Sequence, residues 1–144
     1  MQRKLDLLKK LCVKHGMRLT PQRLEIFKTV DGTQDHPSAY EVYTRVRSTH
    51  PSISLDTVYR TLETFEQWGL LKKLSFLFDK IRYDANLNTH YHVICTECGK
   101  IRDFDWCEFE KMDIPVEISN WGKLNKKDIL IQGVCAGCLK EEYK

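Results

Sequence analysis

The 144-residue chain reads as an α+β protein in two parts, an N-terminal winged helix-turn-helix domain and a small C-terminal α/β unit with a four-cysteine zinc site. Three observations predict this. Apolar residues recur at helical spacing up to Trp68 and then give way to β-prone stretches. Cys95-Thr-Glu-Cys98 is matched by Cys135-Ala-Gly-Cys138. The overall charge of +3 is uneven, net +6 over residues 1–82 and −3 over 83–144. A basic half before an acidic, Cys/His-bearing half points to a nucleic-acid-binding module joined to a metal-binding one, although ordinary surface variation also produces such splits. The expected limits are 1–83 for the DNA-binding domain, 84–89 for a hinge and 90–144 for the metal-binding domain. No apolar run reaches the length of a membrane span.

Each front-half element has a local cause. Leu5, Leu8, Leu11 and Cys12 lie on one helical face, and Gly16 stops that helix. Thr20-Pro21 opens a second helix, with Thr as N-cap and Pro in the first turn, carrying Leu24, Phe27 and Val30 inward until Asp31-Gly32. Ser38 and Glu41 make a capping box for a third helix, whose Ala39, Val42, Tyr43 and Val46 face the core and which His50-Pro51 closes. Ser54 caps a fourth, burying Val58, Leu62, Phe65 and Trp68 before Gly69. Its other face carries Asp56, Thr57, Arg60 and Glu63. Leu70 to Phe78 and Lys80 to Tyr83 then form two strands around a turn near Asp79-Lys80, the wing. In a winged helix the helix before the wing enters the major groove, so Thr57, Tyr59 and Arg60 are the candidates for base contacts. Tyr59 as a core residue and Arg60 as a solvated charge is the plainer alternative. Lys9, Lys10, Lys14, Arg18 and Arg23 either touch phosphates or keep the surface soluble.

In the back half, thiolates with two residues between them reach one tetrahedral Zn²⁺, and two such knuckles complete a closed structural site. The 36 residues between Cys98 and Cys135 mean that the ion staples distant segments of a small sheet. Disulfides or buried thiols are the alternative, disfavoured if the chain works in a reducing compartment, as expected without a signal peptide. Cys12 and Cys107 lack a partner motif and read as a core thiol and a surface thiol. His90 to Cys95 and Lys100 to Phe104 flank the first knuckle as a hairpin. With Cys95 opposite Lys100, His92 falls opposite Asp103, and His90 shares its face by strand alternation. Three ligand-type side chains then converge, as a metal site or as a His pair bonded to a carboxylate. Imidazoles suit a harder or more changeable ion than the thiolates do. Trp106 to Met112 reads as a short helix ended by Ile114-Pro115, Asn120 to Lys127 as a loop, Asp128 to Val134 as a strand, and Leu139 onward as a terminal helix.

The segments His15-Gly-Met-Arg-Leu-Thr-Pro-Gln-Arg23, Asp35-His-Pro-Ser-Ala39, Ser54-Leu-Asp-Thr-Val-Tyr-Arg-Thr-Leu62, Arg82-Tyr-Asp84, His90-Tyr-His-Val-Ile-Cys-Thr-Glu-Cys-Gly-Lys100 and Cys135-Ala-Gly-Cys138 together resemble the ferric uptake regulator (Fur) family, nearly end to end. The resemblance implies a cytoplasmic, homodimeric, metal-dependent repressor that binds double-stranded DNA at a palindromic operator, with the C-terminal domain as dimerisation domain. It implies a structural Zn²⁺ on Cys95, Cys98, Cys135 and Cys138, and a regulatory Fe²⁺ or Mn²⁺ on His36, Asp84, His90, His92 and Asp103. Iron-sensing members typically place Glu at one or both carboxylate positions; Asp103 resembles the peroxide-sensing branch, in which bound Fe²⁺ reacts with hydrogen peroxide and oxygen is added to a ligand histidine, matching His36 or His90. The protein then leaves its operator. It is consumed rather than turned over, and so is not expected to be an enzyme. Arg60 departs from this, since peroxide regulators often carry Asn there; an Fe²⁺- or Mn²⁺-responsive uptake regulator is the alternative.

Three other classes fit less well. An oxygen-activating iron enzyme using His90, His92 and Asp103 would need a substrate pocket that nothing in the sequence announces. A zinc deaminase would carry Glu beside its His ligand and Pro before a cysteine pair, where this chain has His-Tyr-His and Val134-Cys135. A static zinc-ribbon DNA binder leaves the histidines idle.

Overall fold

The computed structural model describes residues 2–75 and 80–142, divided between a unit over Met1–Leu87 and one over Asn88–Lys144. In the first, α1 (Gln2–Lys14), α2 (Pro21–Asp31), α3 (Ala39–Arg47) and α4 (Leu55–Gln67) precede a hairpin of β1 (Lys72–Leu74) and β2 (Arg82–Asp84). This is the expected winged helix; the turn near Asp79 and the strand residues Phe76 to Phe78 lie outside the described residues. β1 and β2 are antiparallel, with Lys72 opposite Asp84.

The helix ends follow from their capping chemistry. Thr20 accepts a hydrogen bond from the Arg23 N–H, Ser54 from that of Thr57, and Ser38 and Glu41 form the reciprocal capping box. Gly16 (φ 62°) and Gly69 (φ 72°) are the left-handed residues of two Schellman motifs. At the first, Met17 N–H reaches Cys12 O at 2.9 Å and Gly16 N–H reaches Val13 O at 3.2 Å; at the second, Leu70 N–H reaches Phe65 O and Gly69 N–H reaches Glu66 O, both at 2.9 Å. The second motif turns the chain off α4 into the wing.

Leu8, Cys12, Ile26, Phe27, Val30, Val42, Val46, Val58, Leu62, Phe65 and Tyr83 make the buried core. Phe27 and Phe65 meet edge to face, with centroids 5.8 Å apart. Three positions differ from expectation. Leu24 and Tyr43 are only partly buried, and Ile26 fills the α2 core position. Trp68 is partly buried as well, because the Schellman turn carries it to the edge of the core, where it stacks on His15 at 4.8 Å.

The second unit contains β3 (Tyr91–Cys95), β4 (Ile101–Phe104), α5 (Cys107–Lys111), α6 (Val116–Ser119), β5 (Leu130–Gly133) and α7 (Ala136–Glu142). The sheet order is β4-β3-β5. β3 pairs antiparallel with β4, His92 opposite Asp103, and parallel with β5, Cys95 opposite Gly133. A parallel pair cannot close through a tight turn, so the chain crosses over through α5 and α6. That requirement accounts for the long stretch between the cysteine knuckles. α6 was not anticipated: Pro115 ends one segment but also occupies the N-cap of the next turn. α7 begins at Ala136 rather than Leu139, because Cys135 O accepts the Leu139 N–H at 3.0 Å and the knuckle is itself the first helical turn.

Phe65 links the aromatic pair to the second Schellman motif. Phe65→Ala is expected to cost about 3–5 kcal/mol of stability, against about 1–2 kcal/mol for Gly69→Ala, where only the left-handed backbone is strained. Urea denaturation of the first unit's helical signal measures both.

Candidate metal centres and nucleic-acid interface

The thiol cluster is built by the ends of two neighbouring parallel strands. Cys95 ends β3, while Cys135 follows β5 after one residue, so both knuckles start from the same end of the sheet. The first knuckle is folded by Gly99 (φ 70°), whose N–H reaches Cys95 O at 3.0 Å, and is tied to β5 by Thr96 N–H to Gly133 O at 2.8 Å. All six cysteines of the chain are free. Cys12 is buried and Cys107 exposed, as expected.

The four knuckle sulfurs lie within 4.8 Å of one another. Cys95 and Cys138 are 3.9 Å apart, Cys98 and Cys135 3.8 Å, Cys135 and Cys138 3.6 Å. A disulfide requires about 2.05 Å. Four thiolates about 2.3 Å from one Zn²⁺ at tetrahedral angles stand about 3.8 Å apart, which these spacings match. Protons are already unevenly held within the group. Backbone N–H groups of Cys98 and Cys135, the latter 3.3 Å from the sulfur, lower the Cys95 thiol to about 6, and the neighbouring sulfurs of Cys135 and Cys98 push Cys138 up. The residues fit a zinc ion.

The second cluster uses the same strand from its other end. His90 precedes β3, His92 lies within it, and Asp103 is its cross-strand partner on β4. The Nε2 atoms of His90 and His92 are 3.1 Å apart, and Asp103 Oδ1 is 3.7 and 3.4 Å from them. Such spacings suit donors that share one ion at about 2.1 Å. His90 Nδ1 lies 2.9 Å from Asn88 O, a contact that fixes the proton on Nδ1 and turns the Nε2 lone pair toward the cluster. Asn88 was not picked out from sequence, since a carbonyl acceptor has no side-chain signature. Two imidazoles and a carboxylate fit a divalent ion of the Fe²⁺ or Mn²⁺ type.

In the first unit, His36 and Asp84 are neighbours, Nε2 to Oδ1 4.0 Å, both buried. Asp84 is the last residue of β2, and its Oδ1 also accepts the Asn86 N–H at 2.7 Å. His36 stands in the loop before α3. Beside it, burial works against the charge of Glu41, but the Ser38 backbone and hydroxyl bonds and the Arg82 and Arg45 cations hold its carboxyl below the usual range.

On α4, Tyr59 is 46% exposed, which removes it from the core. Arg60 is also exposed, its Nε 2.9 Å from Asp56 Oδ2 one turn earlier. An exposed pair of this kind contributes little and leaves the guanidinium available. Thr57 is partly buried, and its hydroxyl is 2.8 Å from that of the capping Ser54. Arg18 is exposed, and its carbonyl accepts from Arg23 Nη1 at 2.5 Å. Lys9, Lys10 and Lys14 project from α1 into solvent.

A winged helix covalently followed by two clusters of metal-ligand side chains defines a metalloregulator. A model of the ferric uptake regulator family matches residues 14–129. Over 128 residues the chain is 34% identical to the peroxide-responsive repressor PerR of Staphylococcus epidermidis, covering 89% of this chain and 85% of that one. The structure of the Helicobacter pylori ferric uptake regulator Fur, a protein with three functional metal-binding sites, matches with a TM-score of 0.85 at 27% identity, covering 96% and 93% of the two chains. The Campylobacter jejuni peroxide stress regulator matches with a TM-score of 0.65 at 31% identity, covering 92% and 96%. The chain belongs to the ferric uptake regulator family.

The sulfur geometry generates a direct test. Metal-stripped, reduced protein titrated with Co²⁺ is expected to show the ligand-field bands and thiolate charge-transfer absorption of a tetrahedral four-sulfur site at one equivalent per chain; Cys135→Ser should lose the band intensity and at least tenfold in affinity.

Proposed function

We propose that the chain is a metal-dependent transcriptional repressor that binds a palindromic operator as a homodimer and senses hydrogen peroxide through iron-dependent oxidation of His36 or His90. The observation that carries this reading is the convergence of His90, His92 and Asp103 at the opposite end of β3 from the thiol cluster, with Asp rather than Glu at both carboxylate positions, 84 and 103. The likeness to peroxide-responsive relatives supports it. Cys95, Cys98, Cys135 and Cys138 hold the structural Zn²⁺, which gives the small C-terminal unit stability its own core does not supply. His36, Asp84, His90, His92 and Asp103 hold the regulatory ion.

These five ligands come from both parts of the chain, so occupancy restricts the arrangements open to the two recognition helices of a dimer. Helices set about one DNA turn apart enter successive major grooves, with Thr57, Tyr59 and Arg60 toward the bases and Arg18 toward a phosphate. Metal and operator affinities are then coupled through that arrangement.

Fe²⁺ held by these donors would supply the reducing chemistry that activates hydrogen peroxide beside them. In net terms a ring carbon of His36 or His90 gains one oxygen atom and water leaves. The resulting ring is amide-like, with protons on both nitrogens, and offers no lone pair in its plane. A ligand is lost, the remaining donors hold the ion less tightly, and the operator is released. Mn²⁺ on the same donors supports DNA binding without this reaction. Arg60 on the reading helix favours the alternative, an Fe²⁺- or Mn²⁺-responsive uptake regulator.

Peptide mass spectrometry of anaerobically loaded protein after brief, dilute peroxide separates the two. One added oxygen on the His36 or His90 peptide is expected in the Fe²⁺ form and not in the Mn²⁺ form; unmodified histidines in protein shown to retain Fe²⁺ would assign the chain to metal-uptake regulation instead.

A further inference from the structure

His36 has φ 50°, and among the described residues it is the only non-glycine with positive φ. It also precedes Pro37, and a residue before proline is pushed toward extended backbone. A bulky side chain held in this conformation persists only where its surroundings over-determine it. The contacts that do so can be traced. Asp35, on one side, is gripped by the Arg45 guanidinium of α3, with Nη1 to Oδ1 3.3 Å and Nη2 to Oδ2 2.5 Å. On the other side, Pro37 O accepts the Tyr83 N–H of β2 at 3.0 Å. The carbonyl of His36 itself faces Arg82 Nη1 at 3.4 Å, and the same nitrogen donates to Glu41 Oε2 at 3.0 Å. Glu41 is anchored in turn by the Ser38 N–H at 2.7 Å and the Ser38 hydroxyl at 2.8 Å.

The geometry points to Arg82 as a positioning residue for His36, one that fixes the backbone of the loop from the α3 capping box and so aims the imidazole at the regulatory ion; this rests on the reading of His36 as a ligand of that ion. Arg82 and Asp84 alternate on one short strand, so both project from the same face of β2. β2 therefore delivers a carboxylate ligand and the clamp on a histidine ligand together. The capping box has a second use beyond starting α3: it orients a cation toward the carbonyl next door. Arg82 need not touch the ion to control its affinity, as hydrogen-bonded partners behind a ligand commonly do.

The test is a double-mutant cycle on the zinc-loaded 144-residue chain, with Mn²⁺ affinity measured by electron paramagnetic resonance up to millimolar metal. Arg82→Met keeps the aliphatic stem and removes the donors. It is expected to weaken Mn²⁺ binding about tenfold in the otherwise unchanged chain, and less than twofold when His36 is already Ala. If Arg82→Met does not fold, as judged by circular dichroism, Arg82→Lys replaces it in the same cycle, with an expected loss of about threefold that again disappears with His36→Ala. Equal losses in both backgrounds, or none in either, would overturn the positioning role while leaving His36 as a ligand. An unchanged affinity in His36→Ala alone would remove the ligand assignment, and the positioning role with it.

Discussion

The pairing of β3 on both of its edges is the constraint on which the C-terminal unit depends. Antiparallel to β4, the strand sets His92 against Asp103; parallel to β5, it brings Cys95 beside Gly133, two residues from Cys135. One five-residue strand thus positions donors for two chemically different clusters. A slip of one residue would turn His92 and its neighbours to the opposite face and carry Cys95 away from the second knuckle at the same time. The thiol cluster makes such a slip costly, because four sulfurs at tetrahedral spacing are compatible with a single register. A closed sulfur site therefore does more than stabilise a small core. It locks the strand that carries His92 and directly follows His90.

The two clusters divide structural permanence from responsiveness by their donors. Sulfur donors, with the Cys95 thiol lowered by backbone N–H groups, favour a soft, redox-inert ion held tightly. Imidazole nitrogens and an aspartate oxygen offer harder donors to ions whose binding is more readily reversed. In the N-terminal unit the same economy recurs. The Ser38–Glu41 capping box starts α3, anchors Arg82 and begins two residues after the strained His36. Helix capping, an element-level necessity, and the bracing of the loop that carries His36 use the same atoms.

Much of this was legible in the residues alone because the controlling interactions are local. Thr20, Ser38 and Ser54 cap the helices for which their side chains are suited, and Gly16 and Gly69 end helices where a left-handed residue is needed. The His92–Asp103 register follows from a hairpin whose turn is a cysteine knuckle. What escaped is non-local. The parallel pairing of β5 with β3 depends on a crossover whose length does not specify a partner, and α6 begins at a proline read as a stop. Trp68 looked like a core residue by spacing, yet the Schellman turn rotates it onto His15. The place of His36 and Asp84 beside one another could not be derived from spacing and entered only through family resemblance. Arg82 entered only as part of the Arg82-Tyr-Asp84 segment of the family resemblance, and its place against the His36 carbonyl left no mark in the residues.

Occupancy of the histidine–carboxylate cluster, with the sulfur cluster already filled, is proposed to control the grip on DNA. Its most direct test is fluorescence anisotropy with a palindromic operator selected from a random library, using protein verified to carry one zinc per chain, titrated with Mn²⁺ and then with a chelator that spares the zinc. At least a tenfold gain in operator affinity on adding Mn²⁺, reversed by the chelator with zinc still bound, is predicted. An operator affinity indifferent to Mn²⁺ while zinc stays in place would show that this cluster does not control DNA binding.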